Sequence, residues 1–201
     1  MIKNVIFDFG QVLVYFQPEY MCSVYTDNKD DIKLLSEVVF DRLYWERLDA
    51  GTIEDEEMMK DVKKRLPERL HEVADKIYYN WIYNLPEIEG MREVISLCRE
   101  RGFGLYILSN ISTYFVAHKD EIPILSLFDG YVFSSLTGAV KPSREIFAHI
   151  TEKFSLTPSE TLFIDDNISN IGGARDFGIN AYHFDGDAKK LYSYIESIGK
   201  N

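Results

Sequence analysis

The chain has 201 residues, 46% of them hydrophobic, with 13 Tyr and 13 Phe, which suits a globular protein with a core and excludes a disordered chain. Its 33 acidic against 22 basic residues give a net charge of −11, a field that repels nucleic acid and anionic membranes. Only two cysteines occur, Cys22 and Cys98, and no apolar run approaches the length of a membrane span, so disulfide scaffolds, zinc clusters and membrane proteins fall away. No signal-peptide layout opens the sequence, and a cytoplasmic protein is expected. An anionic substrate would need a local cation in such a field.

The run Val5-Ile6-Phe7-Asp8-Phe9-Gly10 predicts a strand over residues 5–8, apolar on both faces as in parallel sheets. Burying a lone carboxylate is costly, so Asp8 belongs at the strand's C-terminal tip, with Gly10 letting the chain turn. Ligands bind at that tip in open α/β sheets. A turn residue bonding its own backbone would look the same, and the rest of the chain decides.

Residues 18–86 are rich in Glu, Asp and Lys, helical in period, and without a convincing strand. Residues 54–65 and 70–83 predict amphipathic helices, the second with Ile77, Trp81 and Leu85 on one side. An insert of this kind belongs above the sheet tip, with Pro18 and Leu85-Pro86 as hinges. The expected organisation is a core of residues 1–17 and 87–201 and a cap of residues 18–86. Within the insert, Trp45 could stack on a sugar face, and Arg42, Glu46, Arg47 or Asp49 could bind hydroxyls. Equally, Trp45 could be cap core and the charges solvated.

Four further strands are expected over residues 104–109, 131–134, 161–165 and 181–184. They alternate with helices over 91–101, 143–154, 170–177 and 191–198, the first and third closed by Gly102 and Gly178. Such alternation implies parallel βαβ units. Four polar sets fall at strand ends or open the following helix: Asp8; Ser109-Asn110; Lys141-Pro142; and Asp165-Asp166-Asn167 with Asn170. Each alone has a bland explanation as a cap or a solvated side chain. Together, at one sheet edge, they match phosphoryl transfer. A carboxylate can attack phosphorus, oxygen ligands suit Mg²⁺, and a lysine neutralises the phosphate.

These motifs resemble the haloacid dehalogenase superfamily of aspartate-dependent phosphohydrolases, in the right order over almost the whole chain. They are similar within it to the small α-glucose-1-phosphate phosphatase-like group, through Asp8-Phe9-Gly10-Gln11-Val12 and Ile164-Asp165-Asp166-Asn167. The resemblance implies an α/β fold: a Rossmann-like three-layer core with a central parallel five-stranded sheet and a small helical cap inserted after the first strand. It implies Asp8 as nucleophile and Mg²⁺ ligand, the Gly10 carbonyl as a ligand, and Asp165 and Asp166 completing or orienting the shell. Ser109 and Asn110 would bind the phosphoryl group, and Lys141 would hold phosphate and Asp8 together. The partner is then a small phosphorylated metabolite, a sugar phosphate among the candidates, and the protein a monomer or small homo-oligomer.

One departure matters. Most superfamily phosphatases carry a second Asp two residues after the nucleophile, where this chain has Gly10. General acid–base help is typically worth about 10²–10⁴-fold, so slow turnover or a narrow substrate range is expected. A catalytically weak or inactive binding member is the alternative, and a 2-haloacid dehalogenase the third reading. The paired Asp165-Asp166 weighs against the last, because unneutralised carboxylates would repel a carboxylate substrate. Among the four histidines, His71, His118, His149 and His183, only His118 lies where it could substitute for the missing acid.

Overall fold

A computed structural model describes residues 1–198. Five strands form one sheet: β1 (Asn4–Phe7), β2 (Gly104–Ser109), β3 (Gly130–Phe133), β4 (Thr161–Asp165) and β5 (Asn180–His183). Their order is β3-β2-β1-β4-β5 and every pairing is parallel. The fold is therefore the expected α/β layering around a parallel five-stranded sheet, with β1 at its centre.

Alternation of side chains across the central strands builds two cores, as the pleat requires. Val5, Phe7, Leu105, Ile107, Leu162 and Ile164 belong to one cluster with α6 (Met91–Glu100) and α11 (Ala188–Ile198). Ile6, Leu108 and Phe163 belong to the other with α9 (Arg144–Lys153) and α10 (Ile168–Phe177). A fully buried Ile or Phe contributes about 1.5–3 kcal/mol, so these strands are held from both sides.

The segment between β1 and β2 folds into α1 (Pro18–Ser23), α2 (Lys29–Val39), α3 (Arg42–Asp49), α4 (Asp55–Arg65) and α5 (His71–Tyr78). These helices carry a cluster of their own, centred on Leu35, Val39, Met58, Val62, Ile77 and Tyr78. The expected helix over 70–83 is interrupted after Tyr78, where the Asn80 side chain donates to the Lys76 carbonyl at 2.7 Å and helps close the last turn. Chain entry and exit are paired: Tyr15 N–H donates to Pro86 O at 2.8 Å, and Ile88 N–H to Leu13 O at 2.9 Å. Two short helices, α7 (Thr113–His118) and α8 (Ser134–Thr137), follow β2 and β3. Among the described residues no helix is long and apolar enough to cross a membrane, and both cysteines are buried and free.

Candidate active site

Strand register assembles the site. Phe7 pairs with Ile164 on β4, so the next residues on each strand, Asp8 and Asp165, emerge side by side at the C-terminal edge. Ser109 ends β2 beside them, and Ser134 begins α8 immediately after β3.

Lys141 joins the carboxylates. Its Nζ lies 2.8 Å from Asp8 Oδ1 and 2.7 Å from Asp165 Oδ2, and all three side chains are buried. The Phe9 N–H donates to Asp8 Oδ1 at 2.6 Å. Asp165 is held further by the Asn167 N–H at 2.7 Å and by Asn170 Nδ2, which donates to both oxygens at 3.1 Å. Asn110 fixes the lysine's backbone, accepting from Lys141 N–H at 2.8 Å and donating to its carbonyl at 3.2 Å.

Behind the lysine, α10 crosses unusually close. A Cβ on Gly173 would sit 2.5 Å from Pro142 O, so only glycine fits there.

Burial pushes the Asp8 carboxyl up to about 7; Lys141 opposes the shift and Asp165 adds to it. Burial and the neighbouring Asp165 also raise Asp166. Burial works against the Lys141 ammonium, yet Asp8 and Asp165 together hold its pKa above the usual lysine value. Asp8, Asp165 and Asp166 present oxygens within 4.8 Å of one another. Three carboxylates around a single ammonium leave negative charge uncompensated, and an all-oxygen donor set is what a hard divalent cation takes. The residues present fit Mg²⁺.

Beside this cluster lies a cavity of about 350 Å³, bordered by Gly10, Ser109, Asn110 and residues of the helical insert. On α3, Arg42, Trp45 and Asp49 all line it, the three-and-four spacing that places side chains on one helix face. Trp45 packs against Phe16, Phe40 and Trp81, and its Nε1 donates to Val39 O at 2.9 Å. Its role as a cavity wall and its role as packing are therefore the same surface. Burial pushes Asp49 up to about 7, with Asp8 adding to the shift and Lys141 opposing it.

Two candidates lie elsewhere. Arg47 is offset by two positions from Trp45 and Asp49, so it leaves the cavity and lies 3.9 Å from Glu57. His118 sits at the end of α7 with Nδ1 against Tyr114 O at 2.8 Å and its ring 4.4 Å from the Tyr114 ring, outside the cavity wall.

Ser134 carries no signal in the sequence, where it reads only as the end of a strand. In the structure its Oγ accepts from Ile111 N–H at 3.0 Å and donates to the Asp49 carbonyl at 2.5 Å. It thereby ties the end of α3 to the loop that follows Ser109. Gly51 permits the approach: a Cβ there would meet Ser135 O at 2.7 Å, and its φ is +66°.

A haloacid dehalogenase-like hydrolase family model matches residues 2–178. The chain belongs to that family. Among its curated relatives, a sesquiterpene phosphatase from Aspergillus oryzae is 25% identical, covering 90% of this chain and 89% of the relative. A D-ribitol-5-phosphate phosphatase from Bacteroides thetaiotaomicron is 23% identical, covering 90% and 91%. Solved relatives share the haloacid dehalogenase-like fold. A predicted haloacid dehalogenase-like family hydrolase from Porphyromonas gingivalis superposes with a TM-score of 0.73 at 21% identity, each chain fully covered. A Bacteroides thetaiotaomicron enzyme, in complex with magnesium and inorganic phosphate, gives 0.67 at 20% identity, covering 91% of this chain and 94% of its own.

Proposed function

We propose that this hydrolase is a Mg²⁺-dependent phosphatase that cleaves a small phosphorylated metabolite through an aspartyl-phosphate on Asp8. The observation that carries the reading is the buried Asp8–Lys141–Asp165 arrangement at the sheet tip, with Asp166 beside it. The two curated relatives described above are phosphatases, and a relative of the same fold has been seen with magnesium and inorganic phosphate.

Asp8 attacks phosphorus, a P–O bond forms to its carboxylate, and the ester alcohol leaves. Lys141 neutralises the phosphoryl oxygens while holding Asp8 in line. Ser109 and Asn110 border the position of the phosphoryl group. Water then attacks the acyl phosphate and returns phosphate and free Asp8. Asp8, the Gly10 carbonyl, Asp165 and Asp166 would hold Mg²⁺, which would supply positive charge to offset the meeting of carboxylate and phosphate. Residues 18–86 act as the cap over this centre.

Phosphate release from a generic aryl phosphate tests the proposal. Asp8→Asn should abolish it, and metal-dependent turnover retained in that variant would refute the assignment. EDTA should also stop release; release that survives chelation would refute the Mg²⁺ dependence, and halide release from a 2-haloacid in EDTA would favour the dehalogenase reading.

A further inference from the structure

The cavity beside Gly10 and Ser109 is walled mainly by apolar side chains. Eight of its fourteen lining residues are aliphatic or aromatic, Phe16, Phe40, Trp45, Trp81 and Leu85 among them, and five are polar. Several polar residues at its edge already have partners. Gln11 exchanges hydrogen bonds with the Phe16 backbone at 3.2 and 3.4 Å, Asn110 holds the Lys141 backbone, and Arg42 bonds Glu46 at 2.6 Å. Trp45 Nε1 is taken by Val39 O. A polyhydroxyl group entering here would trade water mostly for aromatic carbon, with the Asp49 carboxylate offering too few acceptors for its several hydroxyls, whereas an apolar group would gain by the transfer.

We propose that this cavity is the leaving-group subsite and takes an apolar alcohol esterified to phosphate, an alkyl, prenyl or aryl monoester rather than a sugar phosphate. The inference deepens the phosphatase reading and rests on it for the position of the phosphate. Cavities of about 300–1,000 Å³ are the usual size for small-molecule sites.

Both tryptophans of the chain line this cavity, so intrinsic fluorescence reports on its filling without any turnover. With Mg²⁺ present, n-octylphosphonate should change the emission saturably, at a concentration at least tenfold below any effect of a hexose phosphate. In parallel, kcat/KM for octyl phosphate should exceed that for hexose phosphates by about tenfold or more. Phe16→Ala should raise KM for octyl phosphate several-fold and leave inhibition by inorganic phosphate unchanged. Tighter binding or faster cleavage of the hexose phosphate would overturn the subsite assignment and leave the phosphatase reading standing. Failure to release phosphate from any ester, aryl phosphate included, would remove both.

A separate observation concerns Asp49. Its carboxylate has no hydrogen-bond partner among the described residues, it shares the cavity with Gly10, and its backbone is locked to the core through Ser134. Space beside Gly10 is empty, with nothing within 4 Å of where a Cβ would stand. The geometry points to Asp49 as the general acid–base residue that the glycine cannot supply. Protonated Asp49 gives its proton to the bridging oxygen as the P–O bond breaks and the alcohol departs. The resulting carboxylate takes a proton from the water that attacks the acyl phosphate, which restores the starting state.

Asp49→Asn should lower kcat for octyl phosphate by about 10²-fold or more, yet for p-nitrophenyl phosphate, whose leaving group needs no proton, by less than tenfold. Gly10→Asp introduced into Asp49→Asn should restore octyl phosphate turnover at least tenfold, because the new side chain has room. Equal losses on both esters with no rescue would make Asp49 a positioning residue and overturn the role.

Discussion

Asn110 grips Lys141 by its backbone from both ends, accepting at 2.8 Å from its N–H and donating at 3.2 Å to its carbonyl. The side chain that follows the end of β2 therefore also positions the ammonium that pairs with Asp8. Asn110→Ala should remove two hydrogen bonds, each worth roughly 0.5–1.5 kcal/mol, and lower Tm by about 2–4 °C per kcal/mol. Aryl phosphatase activity should fall far more than that stability loss explains, with kcat affected at least as strongly as KM.

Lys141→Met should be more severe. Unit charges about 4 Å apart at an effective dielectric near 20 interact by roughly 4 kcal/mol, about a thousandfold in rate. Removal leaves Asp8 and Asp165 buried without their shared ammonium. The Tm gain on adding Mg²⁺ should then be larger in the variant than in the parent, measured by calorimetry at fixed pH.

Metal-free protein should lose stability as pH rises from about 4 to 7. Asp8 and Asp49 are each pushed up to about 7 from an ordinary value of 3.8, and Asp166 is raised as well. A carboxyl raised on folding stabilises fully below its unfolded pKa, and that contribution disappears as pH climbs through the folded one. Asp31, Asp61, Asp129 and Asp185 are lowered instead, so their contribution is lost only on further acidification. Thermal melts in EDTA across that range should show falling Tm, and saturating Mg²⁺ should flatten the trend.

Adjacent glycines on α10 should respond in opposite directions. Gly173→Ala forces a methyl to 2.5 Å from Pro142 O, and overpacking of this kind typically costs about 1–3 kcal/mol. Gly172→Ala meets nothing within 4 Å and should gain roughly 0.5–1 kcal/mol from helix propensity. Melting both variants checks the pair, and only the first should also depress phosphate release.

Most of the acidic cluster was legible because each member sits where an apolar strand ends, a pattern that needs no knowledge of distant contacts. The strand boundaries fall within one residue of the periodicity. Residues 18–50 were less legible: α1 and α3 are short, and the buried faces here are set by neighbouring helices rather than by a long stripe. Arg47 looked as suitable as Asp49 until the helix phase separated them. Ser134 was invisible because its partner, the Asp49 carbonyl, lies 85 residues away in sequence.

The segments that admit and release the helical insert hydrogen-bond to each other at Leu13–Ile88 and Tyr15–Pro86. Such a neck makes the insert exchangeable as a cassette, since its two ends meet the core at a single point. A graft that rewrites selection among esters must therefore keep the α3 end that Ser134 anchors, because Asp49 leaves with the insert.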